Sequence, residues 1–215
     1  MDLVERLAAI PYSGAISDIL DEMGWTNQVL PAEIQAMQPG QTVAGRALTV
    51  SGEPAPGRPR DDYFLPLLTM LGSIQPGDVV VSQPSDCLTA HFGELCCETA
   101  KYRGGRGVVI DGGARDLDYA NKIGFPVFAR YRTPLDIVGR WRMTGYNVPI
   151  TIGRVVVHPG DYVLGDVDGV VVIPQAVAEE VVGKAEALVH TENLVRKAIL
   201  EGVHPVKAYE TYGRF

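Results

Sequence analysis

The stretch that decides the fold is GVVIDGGARDLDYANKIGFPVFAR, residues 107–130. It opens as a short buried strand, Val108-Val109-Ile110, and breaks at Asp111-Gly112-Gly113. An adjacent pair of opposite charges, Arg115-Asp116, follows, then a helix-like run and a second apolar strand ending at Phe128. A strand, a glycine-rich turn and a helix that starts beside charged residues is the arrangement in which α/β proteins place ligand sites. The glycine pair lets a ligand approach the backbone, and the helix start presents free amides. Asp is also a favoured helix N-cap and a neighbouring Arg can be merely solvated, so the pair alone leaves capping and chemistry equally open.

Working outward, QPGQTVAGRALTV (38–50), IQPGDVVVSQP (74–84) and HPGDYVLGDVDGVVVIP (158–174) each place a Pro-Gly turn before an apolar strand. Three such units predict a mixed or antiparallel sheet rather than a pure βαβ repeat. Helices are expected at VERLAAI, ended by Pro11, and at SGAISDILDEMG, stopped by Gly24. Others are expected from about Asp62 to Leu71, after Gly93, and from Gln175 to Glu201 before Gly202. The Pro/Gly-rich segment 54–62 reads as a loop, GRWRMTGYN (139–147) as an irregular segment carrying Arg140 and Arg142, and 203–215 as a tail. The whole chain, 1–215, reads as one α/β domain with a long C-terminal helix. That helix has more apolar positions than a solvated appendage needs.

The 215 residues suffice for one substantial core, and 46% hydrophobic with 21% charged residues is an ordinary globular composition. A formal net charge of −7 argues against a nucleic-acid surface, which needs a basic stripe. No apolar run is long enough for a membrane helix, and the acidic start MDLVERLAAIPYSG is unlike a secretory signal. Cys87, Cys96 and Cys97 are an odd set, expected to be reduced thiols in a cytoplasmic protein, with the last two as small buried apolar residues.

HFGELCCE (91–98) offers a second site element. With Gly93 before a helix start, the amides of Glu94, Leu95 and Cys96 lack intrahelical partners and can hold a carboxylate or oxyanion. His91, Glu94 and Glu98 resemble a metal set only loosely, because zinc-binding histidines on a helix are spaced i and i+4. RGGRG (103–107) precedes a strand, the wrong order for a dinucleotide loop, and Asp166 and Asp168 read as turn formers.

Twenty residues lie between Glu94 and Arg115-Asp116. With GEL, GVVIDGGARD, GFPVFAR, VPITIG and PGDYVLGDVDGVVVIP, and with ISDILDEMG and PGQTVAGRALTV upstream, the chain resembles the RraA-like family from about residue 13 to about residue 202. That family includes the divalent-metal-dependent 4-hydroxy-4-methyl-2-oxoglutarate/4-carboxy-4-hydroxy-2-oxoadipate aldolases and the RraA regulators of ribonuclease E. The resemblance implies a compact fold of the swivelling β/β/α type, assembled as a homotrimer or homohexamer with sites between subunits. It also implies that Asp116 holds Mg²⁺ or Mn²⁺ largely through waters and that Arg115 binds the carboxylate and keto oxygen of a pyruvoyl group. Glu94, where the family usually has Asp, would orient water at the metal. Gly93 and the amides of Leu95 and Cys96 would hold the pyruvoyl carboxylate, and Glu192 of a neighbouring subunit would complete the metal shell. The regulator branch carries Gly at the Glu94 position and Glu three residues after the Asp of the pair. Tyr119 stands there in this chain, with Asp118 one place short. The resemblance therefore implies a small 2-oxo acid substrate, cleaved to pyruvate through an enolate, with oxaloacetate decarboxylation as a side activity.

Overall fold

The computed structural model describes residues 1–214. The chain opens with α1 (Leu3–Ala8) and α2 (Ser13–Glu22). Asp2 caps α1 by accepting the Glu5 amide at 2.8 Å. α2 has no cap of its own. The buried Asp166 carboxylate supplies one from the far end of the chain, accepting the Ser13 amide at 2.6 Å and the Ser13 hydroxyl at 2.8 Å. The same carboxylate accepts the Asp168 amide at 2.9 Å, so a residue read as a turn former also anchors a helix.

There follow β1 (Gln35–Ala36), β2 (Val43–Pro54), α3 (Arg60–Ser73), β3 (Asp78–Gln83), β4 (Ala90–Phe92) and α4 (Glu94–Tyr102). Next come β5 (Gly107–Ala114), α5 (Leu117–Lys122), β6 (Val127–Arg132), β7 (Trp141–Tyr146), β8 (Ile150–Ile152) and β9 (Val155–Val157). A hairpin of β10 (Tyr162–Gly165) and β11 (Val170–Ile173) leads through a short 3₁₀ turn into α6 (Ala178–Leu200), and α7 (Pro205–Tyr212) closes the described chain.

The main sheet runs in the order β1-β6-β5-β3-β2-β10-β11, with β4 added to β5 and β7 to β2. Pairing is parallel along β2/β3, β3/β5 and β5/β6, each connected through a helix, and antiparallel at β1/β6, β2/β10, β2/β7 and β10/β11. The mixed sheet, the single α/β core and the long C-terminal helix are as expected. The central strands are continuous apolar runs, Val79-Val80-Val81 and Val108-Val109-Ile110, because both sheet faces are covered. α3, α4 and α5 pack on one face with Tyr63, Met70 and Phe125 buried, and α2 and α6 bury Ile16, Leu20, Val181 and Ala185 against β10 and β11.

Several expectations need correction. β5 does not break at Asp111 but runs to Ala114, and β6 runs past Phe128 to Arg132 because the two extensions pair across a register shift after Ile110. The glycine pair serves packing, not ligand approach. A Cβ on Gly113 would lie 2.4 Å from the Tyr131 ring and 2.6 Å from the Thr89 carbonyl, and one on Gly112 would lie 2.8 Å from Pro84. Residues 139–147 are not irregular, since Trp141–Tyr146 forms β7 on the second half of β2. Trp141 is buried over Gly52 and donates its indole N–H to the Pro84 carbonyl at 2.8 Å. Arg142 pairs with Glu53 at 2.7 Å, and Arg140 donates to the Val138 carbonyl at 3.1 Å. α3 starts at Arg60 and ends at Ser73, longer at both ends than expected, and accommodates Pro66. The tail contains a helix, with His204 as N-cap and Pro205 at its first position.

Replacing Asp166 with Ala leaves the Ser13 donors and the Asp168 amide without their buried acceptor. The expected loss is about 2–3 kcal/mol of unfolding free energy, read as a lower urea midpoint with an unchanged slope. A midpoint equal to that of the parent protein would show that the anchor is dispensable.

Candidate functional site

The site forms where the first turn of α4 meets the end of β5. The Arg115 amide donates to the Phe92 carbonyl at 3.0 Å, so β4 and the strand end are joined just before the helix begins. Gly93 is the N-cap of α4 and contributes no side-chain cap. A Cβ there would fall 2.6 Å from Asp116 Oδ2 and 3.0 Å from Arg115 Nε, so the two chain segments approach as closely as they do only because residue 93 is glycine. Asp116 Oδ2 instead accepts the Glu94 amide at 3.1 Å, capping α4 from across the cleft. Asp116 precedes α5, with φ 54° and ψ 34°, a left-handed conformation that Asp tolerates better than most residues and that often marks functional positions. Its carboxylate therefore serves the opposing helix rather than its own.

Arg115 is held by two carboxylates. Its Nη1 lies 3.0 Å from Asp136 Oδ2, and its Nε lies 3.5 Å from Asp116 Oδ2. Asp136 is a site residue that sequence reading missed. It sits in a loop after β6, where its Oδ1 accepts the Val138 amide at 2.8 Å, while the Leu135 carbonyl accepts the Ala90 amide at 2.8 Å and fixes the loop to β4. Nothing in TPLDIVGR signals this. A single Asp after a proline is ordinary loop composition, and only the β4 contact brings it to Arg115.

Gly93, Glu94, Leu95, Cys96, Arg115 and Asp116, all singled out from the sequence, line one cleft of about 290 Å³. Three carboxylates, Glu94, Asp116 and Asp136, face it against a single guanidinium. That surplus of negative charge, from oxygen donors only, suits a hard divalent cation that keeps most of its waters. Asp116 Oδ1 takes part in no hydrogen bond or ion pair among the described residues. No group of three His, Cys, Asp or Glu side chains is arranged as a metal cage among the described residues. His91 is buried beside the cleft and Glu98 is exposed on α4, so His91, Glu94 and Glu98 form no zinc set. Glu192 is not brought to the cleft within the chain. On α6 it accepts the Tyr12 hydroxyl and borders a separate groove with Val195 and Ile199.

Behind the cleft, His91 stacks edge-on against Trp141 with ring centroids 4.6 Å apart. Its Nε2 lies 3.3 Å from both Asp86 Oδ2 and the Thr89 hydroxyl, and its buried Nδ1 has no partner. Burial drives its pKa down to about 4, opposed by the Asp86 carboxylate, so the imidazole is neutral near pH 7. Burial pushes the Cys96 thiol up and the Cys97 thiol up to about 12, which keeps both protonated. Cys97 is buried as expected, whereas Cys96 is half-buried at the cleft and Cys87 is exposed. A larger depression of about 450 Å³ beneath α1 contains Lys101, Arg106 and Asp166. Those charges are spent on the Ile123 carbonyl, on Glu5 and on Ser13, respectively.

The family profile described as RraA-like, Aldolase/RraA, matches residues 13–172. A protein of Halalkalibacterium halodurans named "Putative 4-hydroxy-4-methyl-2-oxoglutarate aldolase" is 35% identical over 216 residues, an alignment spanning 97% of this chain and 94% of that protein. An uncharacterized protein from Pseudomonas syringae superposes with a TM-score of 0.86 at 30% identity, over 98% of this chain and 93% of the other. Streptomyces coelicolor RraAS2, described as an unusual member of the RNase ES inhibitor RraA protein family, superposes with a TM-score of 0.80 at 31% identity, over 91% and 96% of the two chains.

Two outcomes test this geometry. Gly93→Ala should force Asp116 and Arg115 aside, costing about 1–3 kcal/mol as overpacking does and speeding hydrogen exchange at the Glu94 amide. An unchanged exchange rate would show that the cap does not depend on the glycine. His91 has a folded pKa near 4, below the ordinary 6.5, so the folded state binds fewer protons between those values. Its contribution is fully present above about pH 6.5 and is lost as pH falls towards about 4. The melting temperature should fall over that window, and His91→Gln should flatten the fall; equal slopes would assign the acid sensitivity elsewhere.

Proposed function

The chain belongs to the RraA-like family, and from that membership and the cleft we propose that it is a carbon–carbon lyase of the divalent-metal-dependent aldolase type. On this reading it cleaves a 4-hydroxy-2-oxo acid and releases pyruvate. The observation that carries the reading is the convergence of Arg115, Asp116 and Glu94 with the first-turn amides of α4 in one cleft. Those groups match what a pyruvoyl unit presents, a carboxylate and a 2-keto oxygen side by side.

Asp116, with Glu94 acting through water, would hold Mg²⁺ or Mn²⁺; the carboxylates and surplus negative charge of the cleft fit such an ion. Bound there, the ion would act as a Lewis acid on the 2-keto oxygen. The chain's own groups account for the rest. The Leu95 and Cys96 amides, unpaired in the first turn, bind the substrate carboxylate. Arg115 binds the same carboxylate and the keto oxygen, and its charge stabilises the oxygen as it becomes an enolate. Asp136 keeps the guanidinium aimed into the cleft. Glu94 orients the water that takes the proton from the C4 hydroxyl. The C4–O bond becomes a carbonyl, the C3–C4 bond breaks, and its electron pair passes to C3 as the enolate of pyruvate. Protonation at C3 completes the reaction. Oxaloacetate losing CO₂ reaches the same enolate, so decarboxylation should accompany cleavage. No lysine is needed, which sets this chemistry apart from Schiff-base aldolases. A carboxylate from a neighbouring copy, Glu192 on α6, would complete the site in a homotrimer or homohexamer.

The second reading is an RraA-type regulator without catalysis, favoured by the likeness to the Streptomyces protein. Glu94 and Tyr119 favour the enzyme, since the regulator branch replaces both.

Pyruvate release from 4-hydroxy-4-methyl-2-oxoglutarate and oxaloacetate, with EDTA or with added Mg²⁺ or Mn²⁺, tests the proposal. Release should require the metal. Asp116→Ala should abolish it, and Arg115→Ala should lower kcat/KM by about 10²–10³-fold, as loss of a transition-state donor does. Full activity in both variants would remove the assignment, and no release from either compound would favour the regulator.

A further inference from the structure

The acids of α6 meet cations, with one exception. Glu179 and Glu186 both pair with Arg6, Glu180 pairs with Lys184 at 2.7 Å, and Glu201 at the helix end lies 3.9 Å from Lys197. Glu192 meets no cation among the described residues. Arg196, one turn further on and at the spacing that favours a pair, donates instead to the Asn193 side chain at 2.7 Å. Among the described residues the Glu192 side chain has one partner, the Tyr12 hydroxyl, which donates to Oε2. A phenol is a neutral donor, so it directs the carboxylate while leaving its negative charge uncompensated.

Tyr12 is itself firmly held. Its ring packs on the apolar cluster that joins α2 to α6. Its backbone lies between Pro11, whose ring fixes its own φ, and Ser13, whose amide and hydroxyl are bound to the buried Asp166 carboxylate. From this base the hydroxyl reaches a residue 180 positions away in sequence and takes up the freedom of a long side chain. No ion pair results. The contact supplies a charged oxygen in a fixed direction, available to a cation from outside the chain.

We infer that Tyr12 is a positioning residue: its hydroxyl aims the Glu192 carboxylate at the cleft of a neighbouring copy, where Glu192 meets the water shell of the divalent ion. The inference rests on the reading of the cleft as a metal site completed by Glu192, and adds to it a residue that touches neither ion nor substrate. Tyr12 does for the incoming acid what Asp136 does for Arg115 within the cleft. A carboxylate at a metal centre is ordinarily oriented by a hydrogen bond of its own, and losing that partner weakens metal binding about 10–100-fold. Ions of the Mg²⁺ type take few protein carboxylates, so misdirecting one of them is felt.

The test is Mn²⁺ binding without substrate, read from the electron paramagnetic resonance of the free ion. Tyr12→Phe keeps the ring and its packing, and should raise the Kd about 10–100-fold. Mixed assemblies, copurified through two tags, separate positioning from a general loss of structure. An Asp116→Ala chain lacks a working cleft but still offers Glu192, and a Glu192→Gln chain offers the cleft alone. Together they should bind Mn²⁺ where the two chains meet. Tyr12→Phe added to the Asp116→Ala chain should weaken that binding, and added to the Glu192→Gln chain it should not. Equal effects from both chains, or none from either, would overturn the inference. So would mixed assemblies that bind no Mn²⁺ while the parent protein does, since Glu192 then plays no part at a neighbour's cleft. A parent protein that binds no Mn²⁺ removes the metal reading of the cleft and this inference with it. Tyr12-dependent Mn²⁺ binding without pyruvate release from 4-hydroxy-4-methyl-2-oxoglutarate or oxaloacetate sinks the lyase reading alone.

Discussion

The site depends on how closely α4 can approach the end of β5, and a missing side chain sets that distance. With hydrogen as the side chain of Gly93, the Asp116 carboxylate reaches the Glu94 amide, and Arg115 lies against the same backbone. This contact gives α4 the cap that its own sequence lacks, and the residue that makes it, Asp116, has a left-handed backbone. The electrostatics agree, since a carboxylate at a helix N-terminus is favoured by the helix dipole whether or not a ligand is present. Helix capping and site assembly are thus the same interaction, and the capping and chemical readings of Arg115-Asp116 do not exclude each other.

Asp166 and Asp116 show the same device twice. In each case a carboxylate at the end of a sheet strand caps a helix from another part of the chain, α2 by Asp166 and α4 by Asp116. The difference lies in exposure: Asp166 is buried and its oxygens are spent on Ser13 and Asp168, whereas the Asp116 side chain is 42% exposed and retains a free oxygen. One geometry makes a buried anchor, the other leaves one carboxylate oxygen unengaged among the described residues.

Most of the site was legible in the sequence because its parts are local. GEL and ARD each set a helix start beside charged residues, and the apolar runs Val108–Ile110 and the one ending at Phe128 marked the flanking strands, though not their full lengths or their parallel pairing. What escaped were features made by contacts between distant segments. Asp136 reaches Arg115 only through the pairing of Leu135 with Ala90. Gly112 and Gly113 looked like ligand-binding glycines, but their free space is filled by Pro84, His91 and Tyr131. The strand Trp141–Tyr146 was hidden because its partner, the second half of β2, lies about ninety residues earlier and arginines mask its alternation.

β2 also governs the timing of assembly. Its twelve residues bond β3 along one edge and are shared along the other between β10, near its start, and β7, near its end. During synthesis the β3 edge can close early, but the β10 edge must wait for roughly a hundred further residues, about 5–20 s at ordinary elongation rates. For that interval an apolar strand is open to misplaced pairing in the nascent chain. Ribosome pausing between β7 and β10, or a chaperone that shields this edge, would therefore change the yield of folded protein without altering any contact in the finished molecule.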